Sequence, residues 1–105
     1  MIKANFRLDL SKTKLKELGF RYDNKADCYV YRFPVYNYKK QPVIFCKIWA
    51  TNEEDHNIIM YGVFEANDTL YAGYYNEEYG YNTTIKQIDK TILHKLKALG
   101  AKRVD

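Results

Sequence analysis

The stretch PVIFCKIWATNEEDHNIIMYGVFEA, residues 42 to 66, contains two apolar segments separated by a polar loop. Both segments are rich in β-branched and aromatic residues, which favour strands. The loop, Thr51 to Asn57, contains the acidic residues Glu53, Glu54 and Asp55. This arrangement predicts a β-hairpin, and we expect the rest of the chain to pack on it or to extend it.

The register of this hairpin follows from its apolar pattern. Pairing Ala50 with Ile58 places the even-numbered residues of both strands on one face. That face contains Ile44, Cys46, Ile48 and Ala50 beside Ile58, Met60, Gly62 and Phe64. A slip of one residue would move every side chain to the opposite face. We therefore assign the even-numbered face to the core and the odd-numbered face, with Trp49 and Tyr61, to the outside.

The remaining segments alternate between strand and helix patterns. Ser11 and a threonine at position 83 or 84 are good N-caps, and Gly19 and Gly100 are good helix stops. Strands are predicted at residues 2–8, 20–22, 28–35, 69–75 and 101–104. The chain is predicted to be a single α+β domain, residues 1–105. An antiparallel five- or six-stranded meander sheet carries a short N-terminal and a longer C-terminal helix packed on one face.

The orientation of the predicted 69–75 strand depends on the length of the turn before it. A three-residue turn at 66–68 directs Leu70, Ala72 and Tyr74 toward the core and leaves Tyr71 and Tyr75 outside. A two-residue turn reverses this orientation. We prefer the three-residue turn, since Asn and Asp there tolerate the left-handed conformation that tight turns need.

Charge is unevenly distributed along the chain, whose formal net charge is +4. Residues 1 to 50 carry 11 lysines and arginines against four acids, and residues 83 to 105 carry six against two. Residues 51 to 82 carry seven acids and neither lysine nor arginine. Such a dipolar layout selects which partners approach and from which side.

The sequence contains no pattern typical of a catalytic, metal or cofactor site. Ser11 is the only serine, and the two cysteines, Cys28 and Cys46, have only His56 and His94 as candidate bases. The acidic loop matches no calcium-loop spacing and lacks the ligands of a zinc site. We predict no catalytic residue, no metal, no cofactor and two free thiols.

The N-terminal segment lacks the apolar core of a signal peptide, and no run of about 18 apolar residues is present. This predicts a cytoplasmic protein without a membrane interaction. The many lysines, isoleucines, asparagines and tyrosines suggest an AT-rich genome, which points to a bacterial or phage origin.

The leading functional prediction is a non-enzymatic interaction protein. Tyrosine offers a large contact area at low entropic cost, and surrounding acids steer a basic partner. The predicted partner-binding residues are Tyr71, Tyr74, Tyr75, Glu77, Glu78, Tyr79, Tyr81, Trp49, Tyr61, Glu53, Glu54 and Asp55. Such a protein could inhibit a nucleic-acid-binding enzyme by occupying its basic groove. If both helices cover one face, the Trp49/Tyr61 face is left open as an interface or homodimer contact.

The sequence is also compatible with two alternative functions. A single-stranded nucleic-acid or RNA-binding module would use the basic N-terminal half, where rings stack on bases and lysines neutralise phosphates. Its predicted residues are Tyr29, Tyr31, Arg32, Phe33, Lys39, Lys40 and Lys47. A small-molecule enzyme is the second alternative, because a site assembled from separate strands leaves no linear motif.

Overall fold

The computed structural model describes residues 5–53, 57–76 and 82–104. Its elements are β1 (Asn5–Leu8), α1 (Lys12–Glu17), β2 (Arg21–Asp23), β3 (Cys28–Tyr38), β4 (Gln41–Thr51), β5 (Asn57–Glu65), α2 (Ala72–Tyr75), α3 (Thr83–Ala98) and β6 (Lys102–Val104). Within these residues the strands form one antiparallel sheet in the order β2-β3-β4-β5-β1-β6. The predicted α+β class is confirmed. Strands β2 to β5 form a meander, and β1 returns to pair with β5.

Local sequence signals define both predicted helices. The Ser11 side chain accepts a hydrogen bond from the Lys14 amide at 3.2 Å, and α1 is followed by Gly19 with φ of +107°. Helix α3 begins at Thr83, so its N-cap is Asn82, whose side chain accepts from the Ile85 amide at 3.0 Å. The predicted threonine cap was therefore wrong by one or two positions. Asparagine and threonine both cap well, and only the backbone geometry distinguishes them.

Both helices bury their apolar residues on the same side of the sheet. Leu15 of α1 and Ile88 and Ile92 of α3 are fully buried. They belong to one apolar cluster with residues of the central strands, namely Tyr29, Phe33, Ile44, Cys46, Ile48, Ala50, Ile59 and Val63. We call this side of the sheet the core face. The opposite side, the outer face, contributes neither Trp49 nor Phe64 to that cluster.

The register of the central hairpin differs from the prediction by one residue. Ala50 pairs with Ile59 rather than Ile58, and Ile48 pairs with Tyr61. The prediction was right for β4, whose even-numbered residues face the core. It was wrong for β5, where Ile59, Tyr61 and Val63 face the core and the even-numbered residues face outward. Both faces of β5 are apolar, so the alternation alone could not distinguish them.

A buried amide selects this register. The side chain of Asn57, at the start of β5, is fully buried and lies opposite Leu8 of β1. Its Nδ2 donates to the Leu10 carbonyl oxygen at 2.8 Å, and its Oδ1 accepts from the Glu53 amide at 3.3 Å. If Asn57 faced the other side, the Leu10 carbonyl and the Glu53 amide would lose these partners, which favours the register in which Asn57 faces the core.

The predicted strand at residues 69–75 was wrong. It is reduced to one bridge, Phe64 with Leu70, and the chain then enters α2. Strand β1 pairs with β5 only as far as Ile59, so the rest of this edge of β5 needs other partners. The Tyr71 amide donates to the Val63 carbonyl oxygen at 3.0 Å, and the Val63 amide donates to the Tyr75 hydroxyl at 2.8 Å. Two tyrosines thus protect an edge that a further strand was expected to cover.

We expect the Asn57→Ala substitution to lower the free energy of unfolding by about 1–3 kcal/mol, because it leaves two partly buried backbone groups without this partner. Chemical denaturation measures this change. The matched control is Asn37→Ala, at an exposed position of β3, which should change the stability by less than about 0.5 kcal/mol. Equal effects of the two substitutions would contradict the proposed role of Asn57.

The two cysteines are free and lie on opposite faces of neighbouring strands. Burial raises the pKa of the Cys46 thiol to about 12. Burial, and then the charges of Asp23 and Asp27, raise the pKa of Cys28 as well, although its side chain is only half-buried. Alkylation requires the exposed thiolate.

At pH 8 we therefore expect iodoacetamide to modify Cys28 slowly and Cys46 only when the protein unfolds. Mass spectrometry of the wild type and of the Cys28→Ser variant follows both reactions. Rapid native labelling of the Cys28→Ser variant would show that Cys46 is not on the core face.

Candidate interaction surface

The outer face is a sheet surface that neither α1 nor α3 covers. Cross-strand pairs define its rows, among them Trp49 with Met60 and Phe45 with Phe64. Its main residues are Arg7, Arg21, Arg32, Phe45, Lys47, Trp49, Ile58, Met60, Gly62, Phe64, Leu70 and Lys102. The side chains of Ile58, Met60 and Leu70 are 59%, 70% and 56% exposed. Large aliphatic side chains are therefore exposed to solvent around the rings of Phe45, Trp49 and Phe64.

Gly62 allows two aromatic rings to lie close to the strand. The Trp49 and Phe64 ring centroids are 5.8 Å apart in an edge-to-face arrangement. A Cβ atom on residue 62 would lie 2.7 Å from Phe64 Cε2 and 3.0 Å from Trp49 Cη2. Any larger residue at this position would displace both rings, so Gly62 keeps the centre of the outer face flat.

Two cations cover aromatic rings on the same face. The Arg32 guanidinium carbon lies 3.6 Å from the Phe45 ring centroid, and the Lys47 ammonium lies 4.9 Å from that of Phe64. Both cations approach Asp68, whose carboxylate is 3.2 Å from Lys47 and 3.9 Å from Arg32. One face of the Phe45 ring, one face of the Phe64 ring and both charges are thus already engaged, and the most exposed large side chains of the outer face are Ile58, Met60 and Leu70.

Basic residues exceed acidic ones on the outer face and its rim. The described bases are Arg7, Arg21, Arg32, Lys47 and Lys102, and the described acids beside them are Asp9, Asp23 and Asp68. Arg7 and Lys102 both approach Asp9, each at 3.4 Å. The rim therefore has a moderate positive excess, which favours a partner with carboxylates around an apolar centre.

Two of the tyrosines that were predicted to bind a partner, Tyr61 and Tyr74, form a hydrogen-bonded chain with Asp89 inside the fold. The Tyr74 hydroxyl donates to the Asp89 carboxylate at 2.5 Å and lies 2.8 Å from the Tyr61 hydroxyl. Tyr74 and Asp89 are buried, and Tyr61 is half-buried on the core face. Burial raises the pKa of Tyr74 far above its usual value, and the hydrogen bonds to Asp89 and Tyr61 add to this effect. This chain fastens α2 and α3 to the sheet.

The structure separates the other residues of the predicted partner site. Trp49 and Tyr61 lie on opposite faces, so the predicted Trp49/Tyr61 face was wrong, and Met60 takes the place next to Trp49. Tyr71 is half-buried, Tyr75 bonds to β5, and Glu53 is exposed. Six predicted residues lie outside the described residues: Glu54, Asp55, Glu77, Glu78, Tyr79 and Tyr81.

The residues of the nucleic-acid alternative also divide between two faces. Tyr29 and Phe33 are buried on the core face, and Tyr31 packs at a tilt between Phe20 and Phe33 with centroid distances of 5.3 and 5.7 Å. Arg32 of β3 and Lys47 of β4 lie opposite each other in the strand register, and both side chains are on the outer face. Lys39 and Lys40 form the turn between β3 and β4. The three rings therefore do not form an exposed stacking platform.

Sequence reasoning missed the outward side of β5, although one signal for it was present. Met60, Phe64 and Gly62 share the outer face, and a glycine inside a strand often marks a close approach of other groups.

Among the described residues no three His, Cys, Asp or Glu side chains are grouped as metal ligands require. None of the described helices combines the length and the hydropathy needed to cross a bilayer.

Comparison with known proteins identifies the fold alone. No protein-family model matches this chain, and no curated protein does. The chain is similar in structure to a DUF1831 family protein from Lactobacillus plantarum solved as a crystal structure, with a TM-score of 0.57 and 10% sequence identity. The similarity covers 98% of this chain and 90% of the other chain. At this identity the match supports the α+β architecture and carries no statement about function.

We expect the Tyr74→Phe substitution to lower the free energy of unfolding by about 1–3 kcal/mol, because Asp89 loses a buried donor. Thermal or urea denaturation measures the loss. Tyr38→Phe removes a hydroxyl from a tyrosine that is 60% exposed and should leave stability within about 0.5 kcal/mol. If the two variants were equally stable, the tyrosine chain would not be structural.

Proposed function

We propose that this protein is a non-enzymatic, cytoplasmic binding protein that docks a partner protein on its outer face. The observation that carries the proposal is the exposure of Ile58, Met60 and Leu70 around the Trp49–Phe64 pair. The partner is expected to present an apolar centre surrounded by carboxylates.

The apolar centre supplies the main driving force of such docking. Monomeric proteins rarely expose large contiguous apolar patches, and those they do expose are often functional. Fully burying one large aliphatic side chain contributes about 1.5–3 kcal/mol. Trp49 and Phe64 are held by each other and by Gly62, so little side-chain freedom is lost when a partner covers them.

The same geometry disfavours stacking of nucleic-acid bases on the outer face. Bases need a free ring face, and base stacking is the main sequence-independent attraction in single-strand binding. Here Arg32 covers Phe45, and Lys47 covers Phe64. The accessible atoms belong to Ile58, Met60 and Leu70, which suit an apolar protein surface better.

Charge argues for a different partner rather than a second copy of this chain. An isologous dimer through the outer face would bring two basic rims together. Neighbouring like charges on the two chains would repel each other. A partner with carboxylates at matching positions would instead find Arg7, Arg21 and Lys102 at the rim.

Docking of a basic partner on the acidic segment 51–82 stays a separate prediction. It is supported by the seven acids of that segment. The described tyrosines of the segment are used within the fold, as Tyr61 and Tyr74 show. The outer face is the better supported surface.

The test is quantitative capture of interacting proteins from the source cell, followed by titration with the purified partner. The Ile58→Glu/Met60→Glu variant should fold with nearly unchanged stability, since both positions are exposed, and should bind at least about tenfold more weakly. The control is Leu93→Glu, an exposed substitution on α3.

Binding to the purified partner that is equal for wild type, variant and control would contradict the proposal. A wild-type dimer that the double substitution dissociates, measured by light scattering, would assign the outer face to self-association instead.

A further inference from the structure

The β3–β4 hairpin ends in a two-residue turn made of lysines. Tyr38 pairs with Gln41, and the two residues between them, Lys39 and Lys40, have φ of +50° and +65°. A hairpin turn with two positive φ values is of type I′, for which Asn-Gly is strongly preferred. Residues with a β-carbon are strained in this region, and lysine lacks the short polar side chain that makes Asn and Asp tolerable there. We call Tyr38–Gln41 the lysine turn.

The lysine turn lies at the end of a ribbon that extends beyond the rest of the sheet. Strand β2 pairs with β3 only from Cys28 to Val30, and β5 pairs with β4 only from Ile44 onward. No other described strand therefore pairs with residues 36 to 43. Tyr36 and Val43 still pack against the core cluster, so the free part of the ribbon is residues 37 to 42. Two strands about 4.8 Å apart with both edges free form a narrow, protruding element.

All charged side chains of the β3–β4 hairpin are basic. Residues 28 to 51 contain Arg32, Lys39, Lys40 and Lys47 and no acidic residue. Arg32 and Lys47 share Asp68, whereas neither lysine of the turn pairs with a carboxylate of the described residues. The Lys39 ammonium lies 5.5 Å from the ring centroid of Tyr38, which is 60% exposed. The tip thus presents two adjacent cations to solvent.

We propose that the lysine turn binds the phosphate backbone of double-stranded DNA, with the ribbon directed into the major groove. The major groove of B-DNA, about 12 Å wide, admits a two-stranded ribbon. Lysine binds phosphate as a point charge, and two lysines at the tip of a ribbon can approach both strands of the groove. Backbone strain that persists at a surface position is a reason to seek a function there.

A duplex fits this tip better than a single strand does. Single-strand binding relies on successive aromatic rings. Of the other rings of β3, Tyr29 and Phe33 are buried, and Tyr31 and Tyr36 are half-buried against the core. The tip offers one exposed ring, Tyr38, beside its two cations. Binding is therefore expected to depend on backbone charge and groove shape, with little base specificity.

The test compares wild type with Lys39→Asn/Lys40→Gly in fluorescence-anisotropy titrations of a random-sequence duplex at several salt concentrations. Each phosphate contact contributes about 0.9 to the slope of log K against log salt. Removing two contacts should therefore make the slope shallower by about 1.8. The same variant should melt at a higher temperature than wild type, because Asn-Gly relieves the strained turn.

The matched control is Lys90→Gln/Lys97→Gln, which removes two exposed lysines from α3 and causes the same change in net charge. It should leave the slope nearly unchanged. The Ile58→Glu/Met60→Glu variant, which tests docking of a partner protein, should keep its contacts with DNA, so the two proposals can fail separately.

Three results would overturn the proposal: absence of duplex binding by wild type at low salt, equal loss of slope in the turn variant and the control, or equal displacement of the duplex by polyglutamate of matched charge. A lower melting temperature of the turn variant would contradict the premise that the turn is strained.

Discussion

The hydrogen bond from the buried Asn57 amide to the Leu10 carbonyl oxygen holds β5 in its register within the sheet. It joins the start of β5 to the segment that follows β1, and the second hydrogen bond of Asn57, from the Glu53 amide, joins it to the loop after β4. Because Asn57 must face the core to make both bonds, Ile59, Tyr61 and Val63 follow it onto that side. One polar residue thereby determines which apolar side chains of β5 remain in solvent.

In the part of the chain that the structure describes, this register produces a sheet with one face covered by α1 and α3 and an opposite face that neither helix covers. Helices α1 and α3 bury their apolar residues in the same cluster, while Tyr61, Tyr74 and Asp89 connect the sheet to α2 and α3 through hydrogen bonds. The outer face receives two aromatic rings packed over Gly62 and exposed aliphatic groups around them. A face of this kind in a small domain is accounted for most simply by a partner that covers it, which is why binding rather than catalysis is proposed here.

The sequence allowed prediction of the elements whose signals are local. The Ser11 cap of α1, the glycine stops after α1 and α3, the alternation along β4 and the α+β class belong to this group, whereas the cap of α3 was predicted one or two positions too late. The side of β5 that faces the core could not be predicted, since Ile58 and Met60 are as apolar as Ile59 and Val63, and the deciding bond joins residues 47 positions apart. The 69–75 segment resembled a strand because tyrosine has high β-propensity. In the structure the Tyr71 amide and the Tyr75 hydroxyl instead form hydrogen bonds with Val63 at the edge of β5. The outer face was not predicted as the candidate site, because it includes the side of β5 that the predicted register assigned to the core.

The pattern of nuclear Overhauser contacts from the single tryptophan measures the register of β5 most directly. If β5 has the register described, the Trp49 indole contacts the Met60 methyl group and the Phe64 ring, and Ile48 contacts Tyr61 across the core face. Contacts of the Trp49 indole with Ile59 or Tyr61, together with a Met60 methyl group buried among the residues of α3, would contradict it. In that case β5 would present its other side to solvent, and the outer face described here would not exist.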